Sequence, residues 1–253
     1  MSVIFFDNDE EHVEDMRARI PNCHAIHVPD TEPNPRMGPL QGPPYNSHEY
    51  TARYYALFPG NSFLEKVRRA KGENYLPTRG ITEEIIGQLN AWIDATPGKK
   101  IAIFDWDRTL TVVEGITLPF DSHWQWYKFD YYLLIPEDIL LFLLGGPERL
   151  QMIRDMFTNL YSKGIDVFVN TRNPACDTNR QAFLVLLQLL TGNQFQPANL
   201  ICASGIPKSF AQAQSQSFQN VVSRGGRRTR GGRRTRRNRI KKHKGTTHYK
   251  KRH

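Results

Sequence analysis

The sequence predicts an α/β protein, a three-layer αβα domain built on a central, mostly parallel sheet. Three observations point there. Short apolar runs fit for buried strands recur at Val3–Phe6, Ile101–Phe104, Ile165–Val169 and Leu200–Ala203. The first two end directly in aspartates, and the segments between the runs repeat apolar residues at helical spacing. With 253 residues and 39% hydrophobic content, the chain is long enough for one sizeable domain plus an appendage.

The stretch IAIFDWDRTLT, Ile101 to Thr111, organises the rest. An apolar strand leads into Asp105 and Asp107, one residue apart, and then Thr109. Side chains alternate along an extended chain, so both acids leave the strand end on one side. At the carboxyl edge of an open α/β sheet that side faces the crevice where ligands bind. Two anions so close repel unless a cation or a shared proton relieves them. A bare DxD pair is ordinarily a surface feature. The apolar strand before it and the threonine after it tip this one toward chemistry.

The segment FDWDRTLT resembles motif I of the haloacid dehalogenase-like (HAD) phosphohydrolase superfamily, whose members mostly transfer phosphoryl groups through an aspartyl-phosphate. The resemblance implies a Rossmann-like fold and a role for each remaining motif. VIFFDNDEEHVEDM, at Val3 to Met16, is similar to motif IV, the acidic loop that completes a magnesium site. That motif normally follows the others, so its place ahead of motif I implies circular permutation, which is mild where termini lie close together on a surface. An unrelated αβ unit is the competing reading of this segment. Asp7 and Asp9 also form a DxD, but Glu11 stands where motif I has threonine, and Asp105 is the better nucleophile.

Val13, Met16 and Ile20 make one helix face, Pro21 stops it, and HAIHV reads as a strand. Residues 31–79 form a Pro/Gly-rich excursion, with a short helix near Phe63 to Ala70, that wraps the core or covers the site. Thr82 caps a helix carrying Ile85, Ile86, Leu89, Trp92 and Ile93, and Pro97-Gly98 ends it. After motif I, residues 112–146 are unusually aromatic, and the resemblance places a flap or small cap there. Trp124, Trp126, Tyr127 and Phe129 either stack on a base or sugar, or pack beneath the flap; His123 reads as a loop residue.

Leu150, Ile153, Phe157 and Leu160 define an amphipathic helix closed at Gly164. The strand after it runs into NTRNP, similar to motif II, with Thr171 placed to hydrogen-bond a phosphoryl oxygen and with Arg172 and Asn173 beside it. A buried helix from Phe183 to Leu190 and a short strand follow, and then SGIPKS resembles motif III. Its Lys208 would neutralise both nucleophile and phosphate. A Gln/Ser-rich helix, Phe210 to Val222, ends the body. No further apolar strand with acids follows, so any fourth motif must come from Asp7.

The resemblance covers residues 1–30 and 80–223. It implies a Mg²⁺-dependent phosphatase acting on phosphate monoesters, with nucleotides or nucleic-acid ends among the candidate substrates. Asp105 would be the nucleophile and Asp107 the general acid and base. Thr109, Thr171 and Lys208 would contact substrate. Asp105, Asp107 (through its carbonyl) and Asp7 would hold the metal, Mg²⁺ preferring an octahedron of oxygens. Many relatives carry a second acid where this chain has Asn8, so Asp9 or Glu11 would have to assist through water. An inactive phosphatase fold serving as a nucleic-acid-binding platform is the alternative.

Charge is divided unevenly. Residues 224–253 hold 15 of the 34 Lys and Arg and none of the 25 acids, which leaves the body at a net charge of −6. The tail repeats RGGRRT at Arg224–Thr229 and Arg230–Thr235. Glycine and like charge prevent a core, so disorder in the free chain is expected. The segment resembles RNA-binding RGG tails and the basic tails of proteins from large DNA viruses. Arg224, Arg227, Arg228, Arg230, Arg233, Arg234, Arg236 and Arg237 are the expected RNA or DNA contacts, salt-sensitive and largely sequence-blind. Nuclear import, or docking to acidic proteins, are the competing uses. The oligomeric state has no signature in the sequence.

Cys23, Cys176 and Cys202 lie far apart without CxxC spacing, so reduced thiols are expected, with neither a disulfide nor a zinc site. Early acids argue against a secretory signal, and the run Ile139 to Leu144 is too short to span a bilayer. These features together predict a soluble, intracellular protein of cytoplasm or nucleus, with no membrane partner.

Overall fold

A computed structural model describes residues 1–28, 80–112 and 136–230. The short helix expected near residue 63, the aromatic segment with His123 and Trp124, and the tail beyond Arg230 lie outside the described residues.

Among the described residues the sheet has five strands, all parallel, in the order β2-β1-β3-β4-β5. These are β1 (Ser2–Asp7), β2 (Cys23–His27), β3 (Lys100–Phe104), β4 (Asp166–Thr171) and β5 (Leu200–Cys202). Among the described residues eight helices flank them: α1 (Glu10–Arg19), α2 (Glu83–Ala95), α3 (Pro136–Leu143), α4 (Pro147–Ser162), α5 (Ala175–Thr178), α6 (Arg180–Leu190), α7 (Lys208–Gln214) and α8 (Gln216–Arg230). The chain is thus a three-layer α/β fold, as expected.

Strand residues alternate between two cores, because successive side chains leave opposite faces of a sheet. Ile4, Phe6, Ala102, Phe104, Val167 and Val169 face α2, α3, α4 and α6. Val3, Phe5, Ile101, Ile103 and Phe168 face α1, α7 and α8. The near-continuous apolar runs reflect burial on both faces. Phe6 and Phe104 are register partners whose rings stack at 5.1 Å, which locks β1 against β3.

β1 continues to β2 on one side and, after residue 28, to β3 on the other. The strand order therefore reverses between β1 and β3, the crevice position where doubly wound sheets bind ligands. Asp7 ends β1, and Asp105 follows β3 with its N–H donating to Phe6 O at 2.9 Å. The two carboxylates are thereby delivered to one edge by neighbouring strands.

Two departures from expectation stand out. Cys176 and Cys202 form a disulfide, contrary to the reduced thiols expected from their spacing. Register explains it: Thr171 pairs with Cys202 across β4 and β5, so the turn after β4 brings Cys176 within 5.5 Å (Cα–Cα) of a residue 26 positions away. Local spacing carries no trace of that. Next, α8 runs past the helix end expected at Val222, as far as Arg230. Its first turns are anchored by buried Phe218 and by Ser217 at Asn199, and adding residues to an existing helix avoids the cost of nucleation. α3, a short helix inside the segment expected to form a flap or small cap, buries Ile139, Leu140 and Leu143 in the larger core. No described helix is long and apolar enough to cross a membrane.

Candidate active site

The site is assembled from strand ends. Beyond β3 the chain makes one wide turn, Trp106–Leu110, closed by Thr111 N–H donating to Trp106 O at 3.0 Å. Arg108 adopts a left-handed conformation, φ +54°, and its N–H donates to Thr111 Oγ1. The turn points Asp105 and Asp107 at the cleft while Trp106 and Leu110 enter the core. Arg149, itself buried, donates to the carbonyls of Thr109, Leu110 and Ile81, bracing the turn from below.

Lys208 begins α7 and reaches back across the sheet edge. Its Nζ lies 2.6 Å from both Asp7 Oδ2 and Asp105 Oδ1, and all three groups are buried. Asn170 fixes the start of α7 by donating to Lys208 O and Gln212 Oε1, and Asp15 accepts from Ser209 N–H. A buried ammonium with two carboxylates keeps its charge only because such partners exist. Burial alone would depress Lys208, but Asp105 and Asp7 outweigh it and hold its pKa above the ordinary lysine value.

The two acids are not equivalent. Burial pushes Asp7 up, yet Lys208 and His12 overcome this and leave it below the usual carboxylate range. Burial raises Asp105 well above that range; Lys208 offsets only part of it, and the nearby charges of Asp7 and Asp107 add to the rise. The site therefore favours ionisation of Asp7 over that of Asp105.

The cleft, about 310 Å³, is lined by Asp7, Asp105, Asp107 and Lys208, with Asn8, Asp9, His12, Arg108, Arg172 and Asn173 around them. Four expected site residues thus meet in one place. Thr109 and Thr171 stand differently. Both are fully buried and neither lines the cleft. Thr109 Oγ1 accepts the Asn8 N–H at 3.0 Å and lies 3.4 Å from Asp105 Oδ2, tying the β1 loop to the turn after β3. Thr171 Oγ1 accepts the Asn173 N–H, shaping the loop after β4. Arg224, Arg227, Arg228 and Arg230 belong to the last turns of α8; Arg233, Arg234, Arg236 and Arg237 are outside the described residues.

Several contributors had little or no sequence signal. Asn173 donates from Nδ2 to both oxygens of Asp107, at 3.3 and 3.2 Å, and accepts Ala175 N–H on Oδ1. His12 sits between Asp7 and Arg172, its Nε2 accepting from Arg172 at 2.9 Å. Asn8, an apparent departure from the motif, is the residue whose backbone engages Thr109. Only the NTRNP context hinted at Asn173, and nothing marked His12 in a helix of many polar residues.

For magnesium, the expected donors are the Asp7 and Asp105 carboxylates and the Asp107 carbonyl. No three carboxylate, imidazole or thiol side chains among the described residues are arranged to hold a metal. The expected set needs only two side chains. Its chemistry fits: hard oxygen donors suit a small divalent cation, whose charge would favour the ionised Asp105 that burial disfavours.

No family model, no curated protein and no solved structure matches this chain. The site's own geometry is what any functional reading must rest on.

Proposed function

We propose that this chain is a Mg²⁺-dependent phosphatase of HAD-like, circularly permuted type that hydrolyses phosphate monoesters through an aspartyl-phosphate on Asp105. One observation carries the reading: Lys208 bridges Asp7 and Asp105 at 2.6 Å, at the point where the strand order reverses. A strand-end carboxylate beside a second acid and a buried ammonium suits in-line attack on phosphorus. The position of β1 beside β3 supports the permuted motif order.

In the first half-reaction Asp105 attacks phosphorus, and Asp107 gives a proton to the departing oxygen. In the second, Asp107 removes a proton from water as it attacks the acyl phosphate, releasing inorganic phosphate and restoring Asp105. Asn173 holds the Asp107 carboxyl at the cleft through both steps. Lys208 offsets charge on the nucleophile and on the transferring oxygens. Asp7, Asp105 and the Asp107 carbonyl would hold Mg²⁺, which supplies the positive charge that favours ionised Asp105 and balances the phosphoryl group. Thr171 and Thr109 shape the loops that carry these groups.

Turnover of an aryl phosphate, with and without Mg²⁺ and in Asp105→Asn, tests the reading. Mg²⁺-dependent release lost in the variant is expected; equal background rates would sink it. A second reading, an inactive fold that binds nucleic acid, is favoured by the basic segment beyond Ser223 and predicts retention of RNA without turnover.

A further inference from the structure

We propose that the mouth of the cleft holds a second anion position centred on Arg172, which selects phosphomonoesters bearing another phosphate group close to the one removed. This rests on the phosphatase reading and specifies its substrate class.

Arg172 directly follows Thr171 and lines the cleft from an exposed position. The cleft contains Asp7, Asp9, Asp105 and Asp107, yet among the described residues the Arg172 guanidinium forms no ion pair. Its hydrogen-bond partner is His12 Nε2, at 2.9 Å. A guanidinium only donates, so Nε2 accepts and the imidazole proton sits on Nδ1. That Nδ1 faces Asp7 Oδ2 at 3.5 Å and Asp9 Oδ2 at 3.6 Å. The ring therefore stands as a spacer between the guanidinium and the acids, and the arginine keeps its charge for something else.

Among the described residues no acid of the chain takes that charge, which leaves it for an anionic ligand. Lys208, buried at the cleft floor, is committed to Asp7 and Asp105 and, in the phosphatase reading, serves the reacting group. A second phosphate, presented at the rim, meets a planar donor fork suited to two parallel N–H···O contacts. The second group is either the other phosphate of a small bisphosphate or the adjoining phosphodiester of a nucleic-acid end.

The test compares full-length wild type with Arg172→Gln and Arg172→Lys under Mg²⁺. The substrates are an aryl phosphate, a nucleoside 5′-monophosphate, a nucleoside 3′,5′-bisphosphate and a 5′-phosphorylated dinucleotide. Arg172→Gln should raise KM for one or both of the last two about tenfold, leave kcat unchanged, and leave the aryl phosphate untouched. Arg172→Lys should recover part of the loss. The doubly charged substrate that shows the effect identifies the source of the second phosphate. Equal losses on all substrates, or no loss on any, would overturn the proposal. If wild type turns over none of them, the phosphatase reading fails. Calorimetry of the nucleoside bisphosphate against the monophosphate then decides: tighter bisphosphate binding that Arg172→Gln abolishes sustains the anion position, and equal binding removes it.

Discussion

Lys208 Nζ and Asp105 Oδ1 are 2.6 Å apart although 103 residues separate them, and the same ammonium bonds Asp7 at equal distance. Deleting the charge with Lys208→Met leaves two buried carboxylates without a counter-ion. The expected cost is about 3 kcal/mol at neutral pH, together with loss of turnover, read by urea unfolding and phosphate release. The signs with pH follow from the shifts. Lys208 is raised, so its contribution is complete below the ordinary lysine pKa and disappears as pH climbs through the higher folded value. Asp7 is lowered, so its contribution is complete above the ordinary carboxylate pKa and is lost as acid brings pH through the folded value. Wild type should therefore weaken at both extremes, while Lys208→Met shows no alkaline loss from this site. A wild-type curve flat beyond the lysine range would contradict the pairing.

Asp105 behaves oppositely. Its carboxyl takes a proton more readily in the folded chain than in the unfolded one, so above the usual carboxylate pKa its ionisation opposes folding. Asp105→Asn should be inactive, and because it also takes one partner from Lys208 its stability is compared with wild type at two pH values. From pH 3 to pH 7 the difference should move in the variant's favour, since only wild type must ionise the buried carboxyl. Thermal unfolding at the two pH values checks this; a difference that stays constant or moves the other way would be inconsistent with it.

Gly80 packs under the Trp106–Leu110 turn with φ +70°, and a Cβ there would meet Arg149 Nη2 and Thr109 O, each at 2.6 Å. Gly80→Ala should cost roughly 3 kcal/mol from left-handed backbone and overlap together, and should lower activity because the Arg149 brace must shift. Gly98 has φ +81° but open space around it, so Gly98→Ala should cost only about 1 kcal/mol. Denaturant midpoints of the pair separate clash from backbone strain.

The thiol count is equally definite. Cys176 and Cys202 are joined, and burial pushes the Cys23 thiol up to about 12, with Arg17 offsetting only a little. Native protein at pH 8 should alkylate slowly. Unfolded protein should show one thiol without reductant and three with it. Reduction should lower stability by about 3 kcal/mol for a loop of this length. Three reactive thiols in unreduced protein would rule out the bridge.

Truncation after Arg230 preserves all of α8, whereas truncation after Ser223 shortens it. If the basic repeat binds RNA, retention on an RNA column should fall in steps with the two truncations and weaken steeply with salt. Phosphate release should persist in the first truncation. Unchanged retention in both would exclude the tail as the contact.

The sequence by itself determined the layers and the turn that carries Asp105 and Asp107. Apolar runs of strand length, helical periodicity and FDWDRTLT are local patterns, and burial on both sheet faces writes them into consecutive residues. The motif resemblance already grouped Asp7, Asp105 and Lys208; the strand order, the 2.6 Å bridge geometry, the Cys176–Cys202 link, the burial of Thr171 and the Asn173 hold on Asp107 came only from tertiary structure. These depend on which strands become neighbours and in what register. A polar side chain such as His12 looks the same in sequence whether it faces water or an aspartate, because its partner arrives from a distant part of the chain.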